Sequence, residues 1–294
     1  MLSADSMQVY RGMDIGTAKL PESKRKVSHF GLDLVEPSHS YSAAEYQSYA
    51  RNIIESETGQ DISSPVYGLP PIVCGGTGLY LRAALDDFDF AGLDEEATQK
   101  QLEVRKRYEQ LHEEIGTDEL HKLLSNRDPA AAEEVHPNNV RRVIRALELW
   151  EAGQSYATIK QAFKARNSYY PTIWIGLTCQ REVLYQRIEQ RVDTMMEQGL
   201  LGEVDALLQK GYRDALTAAQ AIGYKELVPV LEGNADLEVA VTAIKQATRR
   251  YAKRQLSWFR SDLRIIWIER DDMTATDVVQ EIANLDEFTE RYFD

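Results

Sequence analysis

Residues 2–19 read LSADSMQVYRGMDIGTAK, and the rest of the chain can be interpreted outward from them. Asp5 follows a short apolar start, where a buried parallel strand would pass its carboxyl end to a loop, the edge at which open α/β sheets bind ligands. Gly12 and Gly16 allow close backbone approach, and Lys19 supplies a movable positive charge. These features favour a binding site, although a carboxylate that merely caps a turn or helix is the alternative for Asp5.

Composition indicates a soluble globular protein of one or two domains, with 294 residues, 43% of them hydrophobic and 28% charged. Cys74 and Cys179 are far apart and form no C-x-x-C pair, so we expect neither a zinc ribbon nor a disulfide framework. The sequence shows no signal-peptide pattern and no apolar run of the roughly 20 residues that a membrane span needs. We therefore expect a cytoplasmic protein with no membrane partner.

The net charge of −13 argues against nucleic-acid binding, but the charge is unevenly distributed. The segment 241–261 contains no acidic residue and six cations: Lys245, Arg249, Arg250, Lys253, Arg254 and Arg260. Like charges four residues apart weaken a helix, so the pattern predicts a basic helix that meets an external anion such as phosphate. Trp258 and Phe259 favour core packing over base stacking.

The first third of the chain predicts alternating strands and helices. We expect a strand over 29–35, a helix over 42–57 capped by Ser42 with Glu45, and a strand over 70–74. That last strand runs into Gly75-Gly76-Thr77-Gly78-Leu79-Tyr80. A strand, a glycine loop and a helix together suit an anion, although a plain tight turn is the alternative.

The middle of the chain predicts only helices, over 94–115, 117–126, 129–135, 138–152 and 155–165, with Asp128 and Asn138 as caps. We interpret 92–166 as a helical insertion, and 1–91 with 167–294 as the α/β core. In the insertion Arg141, Arg142 and Arg145 can share one helix face, which is either an RNA contact or a solvated surface.

The core resumes with a strand over 172–178, a helix over 184–199 and a last strand over 264–268 before a terminal helix. Arg187 and Arg191 lie four apart on the long helix, as phosphate ligands or as a charged surface. Ala219–Glu226 places Gly223 beside Lys225, in a loop that either approaches RNA or simply enters a helix.

Four of these segments together resemble the signatures of the tRNA dimethylallyltransferase (tRNA isopentenyltransferase) family. They are residues 5–19, the Gly75–Tyr80 loop, His136–Glu148 and Ala219–Glu226, and the resemblance covers essentially the whole chain. It implies an α/β fold with a P-loop NTPase-like parallel-sheet core and an all-helical insertion domain. It also implies a cytoplasmic, nucleotide-binding (ATP-binding) and magnesium-dependent RNA-modifying enzyme, which we expect to be a monomer.

The implied reaction moves a dimethylallyl group from dimethylallyl diphosphate to N6 of adenosine 37 in the tRNA anticodon stem-loop. By resemblance Asp5 is the general base, Thr77 contacts the diphosphate or its Mg²⁺, and Lys19 binds the diphosphate. The residues implied to bind tRNA are Asp5, Ser6, Met7, Gln8, Arg141, Arg142, Arg145, Gly223, Lys225, Arg249, Arg250, Lys253, Arg254 and Arg260.

One departure from the family pattern concerns phosphate binding. Family members begin with a strand and a Gly-Pro-Thr-x-x-Gly-Lys-Thr loop roughly two dozen residues before Asp-Ser, and residues 12–19 do not have that spacing because Thr17 stands where lysine is required. We therefore expect residues 1–294 alone to be inactive or nearly so, and poorly stable. A non-catalytic RNA-binding remnant and, less well supported, a P-loop-type small-molecule kinase remain alternatives.

Overall fold

The computed structural model describes residues 1–58, 71–88 and 95–285. The chain divides into two compact units, one formed by Met1–Leu85 with Tyr170–Asp294 and the other by Asp86–Tyr169. The insertion predicted over 92–166 lies inside the second unit, while its predicted start falls outside the described residues. Within the described ranges, no helix is both long and apolar enough to cross a membrane.

A short parallel strand pair carries the amino-terminal segment of the first unit. Strand β1 (Leu2–Ser3) pairs with β2 (Val73–Cys74), Leu2 opposite Val73. The strand predicted over 29–35 is wrong, because only the isolated bridges Leu2–Phe30 and Tyr10–Val35 form there. Gly31 and Asp33 have φ of 80° and 54°, which interrupts an extended chain. The strand predicted over 70–74 is reduced to β2, and Pro70 lies outside the described residues.

Two helices pack together beside this pair, α1 (Ala43–Thr58) and α2 (Gly78–Leu85). The predicted cap of α1 is confirmed: the Glu45 amide donates to Ser42 Oγ at 3.1 Å, and the Ser42 amide donates to Glu45 Oε2 at 2.8 Å. This capping box satisfies two amides that the first helical turn leaves without partners. It fixes where α1 begins.

The second strand pair of the first unit is as predicted, and so are the long helix after it and the basic helix, whereas α8 (Leu200–Leu208) was not predicted. Strand β3 (Trp174–Thr178) runs parallel to β4 (Ile265–Glu269) over five residue pairs. The described helices of this part of the unit are α7 Arg181–Glu197, α8 Leu200–Leu208, α9 Val228–Leu231, α10 Leu237–Arg260 and α11 Ala275–Ala283. Helix α10 packs against α7.

The second unit is helical in its described part, as predicted. It contains α3 (Glu95–Arg127), α4 (Pro129–Glu134), α5 (Val140–Glu151) and α6 (Tyr156–Ala165) around a buried cluster that includes Leu120, Leu124 and Leu147. Gly116, at φ 80° and ψ 175°, kinks α3 where two helices were predicted.

The caps of the second unit are only partly as predicted. Asp128 caps α4 by accepting from the Ala131 amide at 3.0 Å, which confirms that prediction. The Asn138 cap is wrong, because α5 begins after Asn139 and the Asn138 amide instead donates to His136 Nδ1. The expected α/β class is confirmed as a helix-rich fold whose two described strand pairs are both parallel.

Candidate active site

Asp5 lies just beyond the carboxyl end of β1, where the sequence placed it. Its side chain is half-buried, and Oδ1 accepts a hydrogen bond from the Met7 amide at 2.8 Å. This Asx turn fixes one carboxylate oxygen. Within the described residues no donor occupies the other oxygen, Oδ2, so it is available to a substrate.

The glycine loop between β2 and α2 lies directly against the Asp5 segment. The Thr77 amide donates to Ala4 O at 3.1 Å, and the Ser6 amide donates to Thr77 Oγ1 at 3.0 Å. Gly75 is pressed so closely on the Ala4 backbone that a Cβ there would overlap it. Asp5 and Thr77, far apart in sequence, are therefore held together through the two neighbours of Asp5, Ala4 and Ser6.

Helix α10 covers the other side of the same loop. Gln255 Nε2 donates to Gly76 O at 2.8 Å, and the Trp258 ring packs on Gly78. Tyr251 is on the same face one turn earlier. Tyr251 and Gln255 are site residues that were not predicted from the sequence, although the spacing 251, 255, 258 marks a single helix face. Trp258 was predicted to be a core residue, and its partial burial against the loop agrees with that.

Two tyrosines of this site remain protonated at neutral pH. Burial is the main cause that raises the pKa of Tyr251, and the Asp5 carboxylate adds to it. Burial also raises the pKa of Tyr80, with smaller contributions from Tyr10, Tyr41 and two carboxylates that include Asp5. Two neutral phenols are therefore close enough to the Asp5 carboxylate to feel its charge, and they do not compete with it as bases.

Lys19 is not the movable charge that the sequence suggested, and this part of the prediction is wrong. Its side chain is 3% exposed, and Nζ bonds Asp14 Oδ1 at 2.8 Å, Asp33 Oδ1 at 2.6 Å and Tyr10 O at 2.5 Å. All three protons of the ammonium group are therefore used inside the protein. Lys19 crosslinks the loop and does not point to a diphosphate.

The loop that follows Asp5 is held by internal contacts. The side-chain oxygen of Gln8 accepts a hydrogen bond from Ser3 Oγ, and its Nε2 donates one to Thr17 O. Gln8 therefore stabilises the loop and is also partly exposed at its surface. Gly16 is where the backbone passes close to a neighbour, as predicted, and that neighbour is the Tyr224 ring. Ser6 and Met7 are half-buried beside Asp5.

An acidic side chain anchors the tip of this loop. Glu203 accepts from three successive amides, at 3.0 Å from Asp14, 2.8 Å from Ile15 and 3.2 Å from Gly16. It also accepts from the buried Tyr224 hydroxyl at 2.6 Å. Sequence reasoning missed this anchor, because nothing local links a carboxylate on α8 to amides so far away in the chain.

The basic helix differs from its prediction in one respect. Its own segment has no acids, but α7 supplies them: Arg249 pairs with Glu189 at 2.7 Å and Lys245 with Asp193 at 2.6 Å. The expectation that all these cations need an external anion is therefore wrong for Arg249 and Lys245. The remaining cations of the helix are exposed: Arg250, Lys253, Arg254 and Arg260.

The turn around Gly223 is held by a hydrogen bond within the protein. Gly223 is buried with φ 95°, and its amide donates to Glu226 Oε2 at 2.8 Å. The glycine is thus explained by a left-handed turn, and the approach of RNA to this backbone stays a prediction. Lys225 is exposed and 3.9 Å from Glu226.

The arginines of α5 fall into two groups. Arg141 and Arg142 are exposed, as a nucleic-acid contact requires. Arg145 instead bonds the buried carboxylate of Glu148 at 2.9 Å, and Arg105 of α3 bonds the same carboxylate at 2.6 Å. Arg145 therefore has a structural partner one helical turn along α5, at the i,i+3 spacing.

Most of the chain matches the model of a known protein family. The model of the family described as IPP transferase matches residues 8–262, which include the Asp5 loop's end, the glycine loop and α10. The chain therefore belongs to the IPP transferase family.

Its relatives give the class of enzyme. A protein named tRNA dimethylallyltransferase from Carboxydothermus hydrogenoformans is 43% identical over 96% of this chain and 87% of its own length. One of the same name from Bacillus subtilis is 44% identical over 92% of this chain and 82% of its own length. These names denote prenyltransferase enzymes, and they support neither the kinase nor the non-catalytic alternative.

Solved structures agree with this assignment. A tRNA isopentenylpyrophosphate transferase from Bacillus halodurans is 40% identical, with a TM-score of 0.67 over 99% of this chain and 88% of that one. A eukaryotic dimethylallyltransferase described as acting on tRNA is 29% identical, with a TM-score of 0.75 over 96% of this chain and 70% of that one.

Proposed function

We propose that this enzyme transfers a dimethylallyl group from dimethylallyl diphosphate to N6 of adenosine 37 in tRNA. The observation that carries the proposal is the position of Asp5. Its open oxygen lies beside the glycine loop, and Ser6 bridges to the Thr77 hydroxyl at 3.0 Å. A proton acceptor and a polar leaving-group contact are thus adjacent, as a transfer between two substrates requires.

Asp5 acts as the general base. A stacked adenine has to be extruded from the anticodon loop to reach it. As N6 forms its bond to the allylic carbon, the carbon–oxygen bond to the diphosphate breaks and the N6 proton passes to Asp5 Oδ2. The Met7 amide holds Oδ1 at 2.8 Å, so the carboxylate enters the reaction already oriented.

Thr77 serves the leaving group with its hydroxyl and not with its amide, since that amide donates to Ala4 O. Its oxygen accepts from the Ser6 amide, which leaves one lone pair for a cation. A single hydroxyl ligand fits Mg²⁺, which keeps several waters and substrate phosphate oxygens around it. Bound there with the diphosphate, Mg²⁺ would neutralise charge on the leaving group.

The tRNA is bound by exposed cations. Arg250 and Arg254 on α10, with Lys253, Arg260 and Lys225, supply cations on the first unit, and Arg141 and Arg142 supply them on the second. These residues would neutralise backbone phosphates of the stem-loop. We further propose a P-loop NTPase-like core, a monomeric state and a cytoplasmic location where tRNA is found. Nucleotide (ATP) binding stays a prediction from the family resemblance.

The experiment is transfer of isotope-labelled dimethylallyl groups to a tRNA with adenosine 37 and to a matched tRNA with guanosine there. It is run on residues 1–294 and on the same chain preceded by a segment that carries the family's Gly-Pro-Thr-x-x-Gly-Lys-Thr loop. We expect label only in the adenosine tRNA, and more from the extended chain. No label from either protein would refute the proposal.

A further inference from the structure

The Thr77 hydroxyl leaves a requirement of the proposed reaction unmet. A departing diphosphate oxygen is stabilised by a hydrogen bond that a neighbouring group donates to it. Thr77 Oγ1 has one proton, and the geometry directs it to Ser6 Oγ at 3.3 Å, while the Thr77 amide is bonded to Ala4 O. Another neutral donor at this loop would meet the requirement.

Helix α10 brings such a donor to the loop. Gln255 and Trp258 fix this helix face against Gly76 and Gly78, and Tyr251 is one turn away on the same face. Whereas Gln255 and Trp258 are partly buried, Tyr251 is 39% exposed. Its phenol is therefore at the open edge of the contact between α10 and the glycine loop, where a ligand can reach it.

The surroundings keep this phenol protonated. Burial, and then the negative charge of Asp5, raise the pKa of Tyr251, while hydrogen bonds with Gln255 and Thr77 lower it by less. Gln255 and Thr77 lie within hydrogen-bond reach of the phenol. Because the Thr77 proton is directed to Ser6, the phenol is the donor to Thr77, and it can turn this proton to a diphosphate oxygen bound beside it. The guanidinium of Arg254 is 5.9 Å from the centre of the Tyr251 ring, which adds positive charge beside the phenol.

We propose that the Tyr251 hydroxyl donates a hydrogen bond to a diphosphate oxygen of the allylic substrate, next to Thr77. The inference rests on the proposed function for the identity of the substrate. The proton stays on Tyr251 throughout, so the residue binds and stabilises the leaving group without being consumed. Nothing in the family match or in the names of the relatives assigns this role to it.

The test is calorimetric binding of inorganic pyrophosphate with Mg²⁺ to the wild-type chain, Tyr251→Phe and the control Tyr169→Phe. Tyr169 is also exposed but belongs to the second unit. A hydrogen bond to a charged group predicts that Tyr251→Phe weakens binding by about tenfold or more. The control is expected to bind like the wild type. Thermal unfolding is recorded for all three proteins.

Two outcomes would overturn the inference: equal binding by Tyr251→Phe and wild type, or no binding by the wild type at millimolar pyrophosphate. If Tyr251→Phe also unfolds at a lower temperature, Tyr251→His, which restores a donor, has to bind pyrophosphate more tightly than the phenylalanine variant. The labelled-transfer assay is read separately. If the wild type transfers no label while the binding difference persists, the proposed function is rejected and Tyr251 remains a diphosphate ligand.

Discussion

At the scale of single residues, the glycines of the 75–78 loop set how closely the site can assemble. Gly75 rests on the backbone of Ala4, Gly76 on the Gln255 amide and Gly78 on the Trp258 ring. A Cβ at any of these positions would overlap its neighbour. The loop can therefore bring β1 and α10 together only because it has no side chains at these points.

Gly78→Ala tests this reasoning. We expect it to lower the free energy of unfolding by about 1–3 kcal/mol, since the rigid Trp258 ring has to move. The matched control is Gly202→Ala on α8, where a Cβ meets nothing within 4 Å and which gains up to about 1 kcal/mol from helix propensity. Both values come from urea unfolding. Equal effects of the two substitutions would contradict the close approach.

Individual site residues could be predicted from the sequence where a nearby sequence pattern, such as a strand followed by a loop, indicates their position. Asp5 and Thr77 each follow a strand, and parallel strands bring their carboxyl ends to the same edge. Lys19 was misjudged because its partner Asp33 becomes a neighbour only through the fold. The role of Arg145 in binding tRNA stays a prediction; the fold adds that its partner Glu148 is shared with Arg105 on another helix.

At the scale of elements, α10 separates two functions on different faces. Tyr251, Gln255 and Trp258 meet the glycine loop, whereas Arg249 and Lys245 bind acids on α7. The paired cations hold the helix in place, and the exposed ones are those that we propose bind phosphate. The helix is therefore both a wall of the site and a basic surface.

This division predicts different salt dependences of tRNA binding. Arg250→Gln and Arg254→Gln should each reduce the slope of log K against log salt by about 1, because each removes one phosphate contact. Arg249→Gln should leave the slope unchanged, because Glu189 already neutralises Arg249. The slopes are measured by titration at several salt concentrations. A loss of slope in Arg249→Gln as large as in the other two would contradict the division.

Helices were more predictable than strands in this chain. A 3.6-residue period and the Ser42 and Asp128 caps are local signals, and they located α1 and α4 to within a residue or so. The segment 29–35 has strand-like composition, but positive φ at Gly31 and Asp33 turns the chain there. A strand needs its partner as well as its composition.

At the scale of the whole molecule, each of the two units has buried apolar side chains of its own. Leu147 is fully buried in the second unit and Leu227 in the first. Chains with two cores often unfold in more than one step. We expect two thermal transitions by calorimetry.

Leu147→Ala should lower one transition and Leu227→Ala the other, each cavity costing about 2–5 kcal/mol. A single transition that both variants shift equally would show one cooperative core. The expectation that residues 1–294 alone have low activity and stability stays a prediction, which the same calorimetry and the transfer assay address.

The most direct test of Asp5 as general base compares Asp5→Asn with wild type in whichever form of the chain transfers label. Loss of the proton acceptor predicts a kcat lower by about a hundredfold or more, while the Kd for tRNA stays unchanged because the side chain keeps its size and its bond from Met7. An equal loss of tRNA affinity, or an unchanged kcat, would contradict the account.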